Sequence, residues 1–396
     1  MTTDSAAERY LQLGLRLGRH VDGLVDSYFG PPELAAAVEA AQPVDPHVLV
    51  ADANALLDVL EDGWLRDQVV GLRTYARVLA GEPLAYADEV EGCYGVRPTH
   101  TDEASFAAAH ERLEELLPGE GTLAERHERW ESSIRVPAER IERTIAAVIE
   151  EARAWTRGLV DLPDGEGVVL EIVRDEPWLA FCEYLGGYRS RISVNVDLPM
   201  SAFELLVLTI HETYAGHHTE RCAKDATLVR GRGLLEETIV LVPTPQSLVA
   251  EGIAGLAPFL LLEGDGGPAL AAVVNEAGVE LDLAHALAVR RALEPCRWVG
   301  VNAASMLHED GASRAEVHGY FMRWGLVTTQ VADHAIRFLE EPTSRTYILT
   351  YSAGRDLCRA YVAAEPDGFR RLLTEQVRVR DLLAAWDGGP AISSNA

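Results

Sequence analysis

Residues 209–220 read Thr-Ile-His-Glu-Thr-Tyr-Ala-Gly-His-His-Thr-Glu, and they directly follow the apolar run Leu-Leu-Val-Leu at 205–208. The stretch places three imidazoles and two carboxylates within ten residues. Groups of this kind are costly to bury unless they are paired, hydrogen-bonded or bound to a metal. We therefore interpret the stretch as a metal-binding helix of the kind that zinc hydrolases use.

The spacing of the histidines does not fit a regular helix. In the common His-Glu-x-x-His motif the histidines lie four residues apart on one helix face. Here His217 follows His211 by six residues, which leaves it roughly 120° away from that face, and His218 lies about 10 Å further along the axis. We predict a distortion near Ala215 and Gly216, because a break costs least at glycine. His217 is favoured as the second ligand since it needs the smaller bulge.

A third metal ligand is predicted at Glu251. Catalytic zinc sites have three protein ligands and one open position. Glu251 is a lone carboxylate inside the apolar helical pattern at 248–256, where burial without a partner would be expensive. Glu236 and Glu237 compete by distance along the chain, but they belong to a more polar stretch where water would satisfy them.

The rest of the chain predicts a mainly helical fold. Helical patterns fill the first 160 residues, beginning with an amphipathic helix at 5–28, and they return after residue 245, where 269–294 reads as one helix. We expect two lobes around a cleft. Residues 1–160 form the helical lobe, which shows no catalytic constellation, and residues 161–396 form the catalytic lobe.

Three β-like runs lie between the helical regions, at 168–173, 178–185 and 188–196. Pro177 and the Gly186-Gly187 pair separate them in the manner of hairpin turns. The runs predict a small antiparallel sheet immediately before the metal-binding helix.

Composition excludes several function classes. The net charge of −27 argues against nucleic acid and anionic membranes as partners. The five cysteines form no Cys-x-x-Cys pair, so they indicate neither a disulfide framework nor a thiolate zinc site. The N-terminus has no basic or apolar leader pattern, and no apolar run approaches the roughly 20 residues that span a bilayer. We expect a soluble, cytoplasmic protein.

Two motifs carry a family resemblance. His-Glu-Thr-Tyr-Ala-Gly-His-His at 211–218 and Ala-Glu-Gly-Ile-Ala at 250–254 resemble the His-Glu-x-x-Pro-Gly-His-His and Glu-Gly-Trp-Ala signatures of the bacterial domain-of-unknown-function 885 family. That family resembles gluzincin metallopeptidases of the thimet oligopeptidase and Taq carboxypeptidase type, which are mostly helical and enclose a deep cleft. Residues 297–308 are similar to the family's Arg…Asp…Leu-His helix, and residues 351–354 to its Tyr-x-x-Gly. Three positions depart from the family pattern: Ala215 replaces proline, Ile253 replaces tryptophan and Asn302 replaces aspartate.

The resemblance implies a set of metal ligands and a base. His211, His217 and Glu251 would hold one Zn²⁺ per chain, with His218 as the alternative ligand or a supporting group. Glu212 would act as the general base toward water.

The resemblance also implies substrate-facing groups, each with an alternative. Tyr351 and His308 are the candidates to stabilise a tetrahedral oxyanion, with Tyr347 as a rival for Tyr351. The alternative for His308 is structural: it lies at a predicted helix end, where a positively charged histidine would stabilise the helix C-terminus. Arg355 would pair with a substrate carboxylate, although with Asp356 next to it a solvated ion pair is the alternative.

The predicted function is zinc-dependent hydrolysis, with a peptide as the substrate. The alternatives are an amidase-like or biosynthetic hydrolase of a small non-peptide amide, and a catalytically inactive member that only binds. The presence of Glu212 argues against the inactive member, because such a member should lose its base first.

Overall fold

The computed structural model describes residues 5–174, 179–197 and 199–386, together with residue 388 and the backbone of 392–393. Helices fill the chain up to the sheet: α1 (Ala6–Gly18), α2 (Pro32–Ala40), α3 (Pro46–Leu57), α4 (Trp64–Leu79), α5 (Tyr86–Tyr94), α6 (Glu103–Leu116), α7 (Leu123–Ser133) and α8 (Ile141–Thr156). Two short strands interrupt them: β1 (Val25–Tyr28) and β2 (Arg97–Pro98).

A three-stranded sheet follows, formed by β3 (Gly167–Val173), β4 (Ala180–Gly186) and β5 (Arg189–Asn195). β5 lies in the centre. The predicted hairpin at Gly186-Gly187 is present, since β4 and β5 pair antiparallel. β3 instead pairs with β5 in parallel, so no hairpin joins β3 to β4, and Pro177 lies outside the described residues.

The remaining chain is again helical, so the mainly α fold with a small sheet is confirmed. Its helices are α9 (Ala202–Glu212), α10 (His217–Lys224), α11 (Pro245–Glu263), α12 (Gly267–Glu276), α13 (Leu283–Ala292), α14 (Val299–His308), α15 (Arg314–Trp324), α16 (Thr329–Glu340), α17 (Arg355–Ala364), α18 (Gly368–Thr374) and α19 (Val379–Ala384). The remaining strands are β6 (Ile239–Leu241) and β7 (Ile392–Ser393), and residues 225–230 and 350–354 form π-helical turns.

Two predicted helices are wrong in their extent. The pattern at 5–28 is α1 followed by β1, because residues 25–28 pair with β6, a partner remote in sequence. The pattern at 269–294 is two helices, α12 and α13. The chain turns between them at Gly278, whose φ of 83° is one that glycine adopts without strain, and the Asp282 side chain caps the start of α13.

The apolar side chains form two main cores. The larger core runs from Tyr86 to Leu382 and takes side chains from both sides of residue 160. The second packs α1, α3 and α4 around Ile239 and Leu241 of β6. The division into a helical and a catalytic lobe at residue 160 stays a prediction.

The nineteen-residue helix α11 is the centre of the larger core. It is long and apolar enough to cross a membrane, but 89% of its apolar window is buried inside the protein, as expected of a core helix. The turn at 350–354 lies directly against it. A Cβ on Gly252 would lie 2.4 Å from the Gly354 carbonyl oxygen, and a Cβ on Gly354 would lie 2.3 Å from that of Leu248. Only glycine permits this approach, and it brings the tyrosines around residue 350 to Glu251.

Candidate metal centre

The stretch predicted to bind metal is two helices joined by a sharp connector, not one helix. α9 ends at Glu212 and α10 begins at His217. Ala215 adopts a left-handed φ of 70°, and its N–H donates to Thr219 Oγ1 at 2.8 Å. A Cβ on Gly216 would lie 2.0 Å from the His211 carbonyl oxygen, so no larger residue fits. The break therefore falls where the spacing predicted a distortion, and it spans all of residues 213–216 instead of a bulge.

The break brings His211, His217 and Glu251 together from three helices. The Nε2 atom of His211 lies 3.4 Å from Glu251 Oε2, and that of His217 lies 3.6 Å from Glu251 Oε1. The candidate ligand atoms of the three residues all lie within 4.8 Å of one another. Tetrahedral ligand atoms with metal bonds of about 2.0–2.1 Å are about 3.4 Å apart. The two imidazole–carboxylate distances are thus close to those of a tetrahedral metal site.

The polar atoms of the triad also fit a cation. Glu251 Oε1 accepts a hydrogen bond from the Tyr347 hydroxyl at 2.6 Å, whereas Oε2 is sealed from solvent without a hydrogen-bond partner. Such an oxygen is costly to bury unless a charge lies against it. Two imidazoles and one carboxylate are a donor set that catalytic zinc sites use. The residues present therefore fit Zn²⁺, with Tyr347 orienting the carboxylate.

Electrostatics couples the three side chains. Burial opposes ionisation of Glu251, but the imidazoles of His217 and His211 outweigh it and hold the pKa of the carboxyl well below its usual range. Burial also disfavours charge on His217, yet the Glu251 carboxylate raises its pKa to about 9. A ligating imidazole is neutral, so a metal at His217 would displace any proton that this imidazole carries.

His218 points away from the triad into a closed polar network. Its side chain is fully buried, Nδ1 is hydrogen-bonded to Ser190 Oγ at 2.8 Å, and Nε2 lies 3.4 Å from Glu166 Oε2. Glu166 also accepts from the Tyr214 hydroxyl at 2.6 Å and from Arg153 at 2.6 and 2.8 Å. The geometry favours His217 over His218 as the second ligand.

Glu212 lies beside the triad with its carboxylate free. Its residue exposure is only 7%. Burial raises its pKa, and the charges of His211 and His217 oppose that shift. Within the described residues it makes no hydrogen bond or ion pair, yet its oxygens are not among the atoms sealed from solvent. The carboxylate therefore borders space that water can enter.

Two charged groups outside the predicted site, Asp26 and Arg221, lie on elements that adjoin the triad. Asp26 lies on β1, where a register shift between Val25 and Ser27 marks a β-bulge; bulges often re-aim side chains next to active sites. Burial raises the Asp26 pKa to about 6, while Arg221 and then His217 lower it. Asp26 needs the remote pairing of β1 with β6, which no local pattern reveals. Arg221 stands four residues after His217, and that helical spacing was a usable signal.

The two candidate tyrosines have different environments. Tyr347 is committed to Glu251 through its hydroxyl. The Tyr351 ring lies edge-on to the Tyr347 ring, with 5.4 Å between the ring centres, and Tyr351 is 40% exposed. Partial removal from water, followed by the charges of Glu251 and Glu212, raises the Tyr351 pKa well above 10. Its hydroxyl makes no hydrogen bond within the described residues, so it is free to donate to a substrate.

The structure does not bring His308 to the triad. His308 Nε2 is hydrogen-bonded to the Leu339 carbonyl at 2.8 Å, and its ring stacks on Tyr86 at 5.3 Å. In the part of the chain that the structure describes, none of its contacts is a member of the triad.

Arg355 is already paired with another side chain. Its guanidinium donates to Glu294 at 2.6 Å and lies 3.9 Å from the centre of the Phe259 ring. Burial and the neighbouring Arg297 lower its pKa to about 10. The partner is Glu294, not the adjacent Asp356, which instead pairs with Arg297. One nitrogen of Arg355, Nη2, is thus committed to Glu294, and its Nε is sealed from solvent.

Comparison with known proteins finds likeness in fold only. No protein-family model matches the chain, and no curated protein matches it. A solved "putative lipoprotein" from Colwellia psychrerythraea has a TM-score of 0.54 and 14% identity, over 85% of this chain and 65% of that chain. A "putative lipoprotein of unknown function" from Shewanella oneidensis has a TM-score of 0.52 and 12% identity, over 89% of this chain and 75% of that one. This chain thus spans 65% of the length of the Colwellia protein.

Proposed function

We propose that the protein is a zinc-dependent hydrolase that cleaves peptide bonds. One observation carries the proposal: the buried carboxylate of Glu212, free of any partner in the described residues, stands beside a His211–His217–Glu251 triad that has metal-site spacing. A carboxylate that is mostly buried, reaches water and lies beside a metal triad is placed to act on that water as a base. The motifs that resemble the domain-of-unknown-function 885 family support the same assignment.

Each residue around the triad has a defined task in this proposal. His211, His217 and Glu251 would hold Zn²⁺, which when bound polarises a carbonyl and makes water more acidic. Glu212 takes a proton from the attacking water and passes it to the departing amine, since its raised pKa suits both transfers. The free Tyr351 hydroxyl donates to the developing oxyanion. Tyr347 keeps the Glu251 carboxylate in its orientation.

The metal is tested by elemental analysis of protein purified without added metal. We expect about one zinc per chain in the wild type and a background level in Glu251→Ala. Glu263→Gln is the matched control, because Glu263 lies on the same helix α11 but is exposed and paired with Arg291. A wild-type protein that holds no zinc, even after zinc is added, would make the proposal wrong.

The reaction is tested with a peptide library and zinc-loaded protein. Glu212→Gln should keep its zinc and lose about 10²–10⁴-fold in turnover, the usual contribution of a general base. Glu263→Gln should cleave like the wild type. An uncut library, together with cleavage of small non-peptide amides, would replace peptides by such amides as the substrate class and leave the zinc hydrolase in place.

A further inference from the structure

Arg221 is a mostly buried guanidinium that no side chain of the described residues binds. Its residue exposure is 7%, and within the described residues it makes no hydrogen bond, ion pair or ring contact. Arg355 is equally buried at 6%, but it donates to Glu294 and lies over Phe259. A guanidinium carries five N–H donors, and no side chain in the described residues accepts from those of Arg221. Its nitrogens are not among the sealed atoms, so they face space open to water.

The carboxylates around Arg221 do not satisfy it. Burial alone would lower the pKa of Arg221, but the charges of Glu220, Asp26 and Glu237 outweigh it and raise the pKa. Glu220 is bonded to Lys224 at 2.7 Å. Glu237 accepts from two glutamine side chains, Gln246 and Gln376. Asp26 makes no ion pair with Arg221 in the described structure, although the two charges act on each other.

Arg221 shares a charged neighbour with the site, because Asp26 lies within electrostatic range of Arg221 and also of His217, Glu251 and Glu212. Arg221 follows His217 by one turn of α10, and side chains four residues apart on a helix have Cβ atoms about 5–6 Å apart. An extended peptide advances about 3.3–3.6 Å per residue. The spacing of the two Cβ atoms thus corresponds to one or two residues of an extended substrate.

We propose that Arg221 binds a free carboxylate of the substrate, so that the site selects peptides or amides with a carboxylate one or two residues from the scissile bond. This inference rests on the proposed hydrolase. The planar guanidinium fork matches a carboxylate with two parallel hydrogen bonds. Arg221 would thus take the task that the family resemblance implied for Arg355.

Binding is measured first, because it does not depend on turnover. N-acetyl tripeptides are titrated, in free-acid and C-terminal amide forms, into zinc-loaded Glu212→Gln protein by calorimetry. We expect the acids to bind about 10–100-fold more tightly than the amides, as for hydrogen bonds to charged groups. The further change Arg221→Gln should remove this preference and leave amide binding unchanged, and Arg221→Lys should keep a part of it. Arg291→Gln, an exposed arginine on α13, should keep all of it.

Three outcomes separate this inference from the proposed function. Equal binding of acids and amides would overturn the role of Arg221. Acid-selective binding without any cleavage by the wild type would overturn the hydrolase and keep the carboxylate site. If Arg221 only balances the charge of Asp26, Asp26→Asn and Arg221→Gln would lower the melting temperature equally and leave the preference for acids intact, which would also overturn the inference.

Discussion

The two sides of α10 place adjacent histidines in opposite environments. On one side, His217 meets His211 and Glu251, and the charged groups next to them, Glu212 and Arg221, lack partners in the described structure. On the other side, His218 lies against Glu166, and the Glu166 carboxylate also accepts hydrogen bonds from Arg153 and Tyr214. Both sides are buried and contain histidine and glutamate.

The difference shows that residue type does not distinguish a reactive site from a structural one. A network whose donors and acceptors satisfy one another fixes a core. A cluster with a sealed oxygen on Glu251 and a free carboxylate on Glu212 retains capacity for a metal and a substrate. The following predictions test whether the two sides of α10 really divide structure from chemistry.

The largest effect is expected from Gly216→Ala, because Gly216 forms the tight connection between α9 and α10 that brings His217 to His211. The added Cβ would lie 2.0 Å from one backbone oxygen and 2.5 Å from another. Since backbone must move, we expect a loss of about 4 kcal/mol or more in the free energy of unfolding. Gly319→Ala on α15 is the control: its Cβ meets nothing within 4 Å, and it should gain about 0.5–1 kcal/mol. Urea unfolding measures both, and similar values for the two variants would contradict the steric account.

Exchanging each histidine for alanine should separate metal binding from stability. His217→Ala should weaken zinc binding by about 100-fold or more, beyond the usual effect of losing a supporting group. His218→Ala should keep zinc within about 10-fold but lose about 1–3 kcal/mol of stability, because Glu166 and Ser190 lose a buried partner. Competition with a chelator and thermal unfolding provide the two readouts. Loss of zinc in His218→Ala alone would reverse the ligand assignment.

The sequence predicts one side of α10 better than the other. The break at Gly216 and the burial of Glu251 depend on local spacing and patterning, and both are present. Asp26 reaches the site only through the pairing of β1 with β6, and Arg355 is occupied by Glu294 from a separate segment. Partners that are remote in sequence decide which charged groups stay free, and no local pattern shows them.

The smallest effect is expected at Glu166, in the hydrogen-bonded network on the His218 side of α10. Burial opposes its ionisation, but His218, Tyr214 and Arg153 outweigh that and lower the pKa of the carboxyl from 4.5 to about 2. The folded state therefore binds its proton less readily than the unfolded chain, so Glu166 stabilises the fold above about pH 4.5 and loses this contribution as the pH falls to about 2. Glutamine cannot ionise. We expect Glu166→Gln to lower the free energy of unfolding by about 2 kcal/mol at neutral pH, with the difference from wild type shrinking between pH 4.5 and 2.

The pH dependence of the Glu166→Gln effect is measured by denaturant unfolding in the presence of a chelator, because the chelator removes any contribution from metal. Glu171→Gln serves as the control, because Glu171 pairs with Arg191 at an exposed position, where ion pairs contribute at most about 1 kcal/mol. If the Glu166→Gln difference stays constant down to pH 2, the charge of Glu166 does not hold the network together. Packing around His218 would then stabilise that side of α10. The two sides would differ in whether they leave space for a ligand, and not in whether their charges are paired.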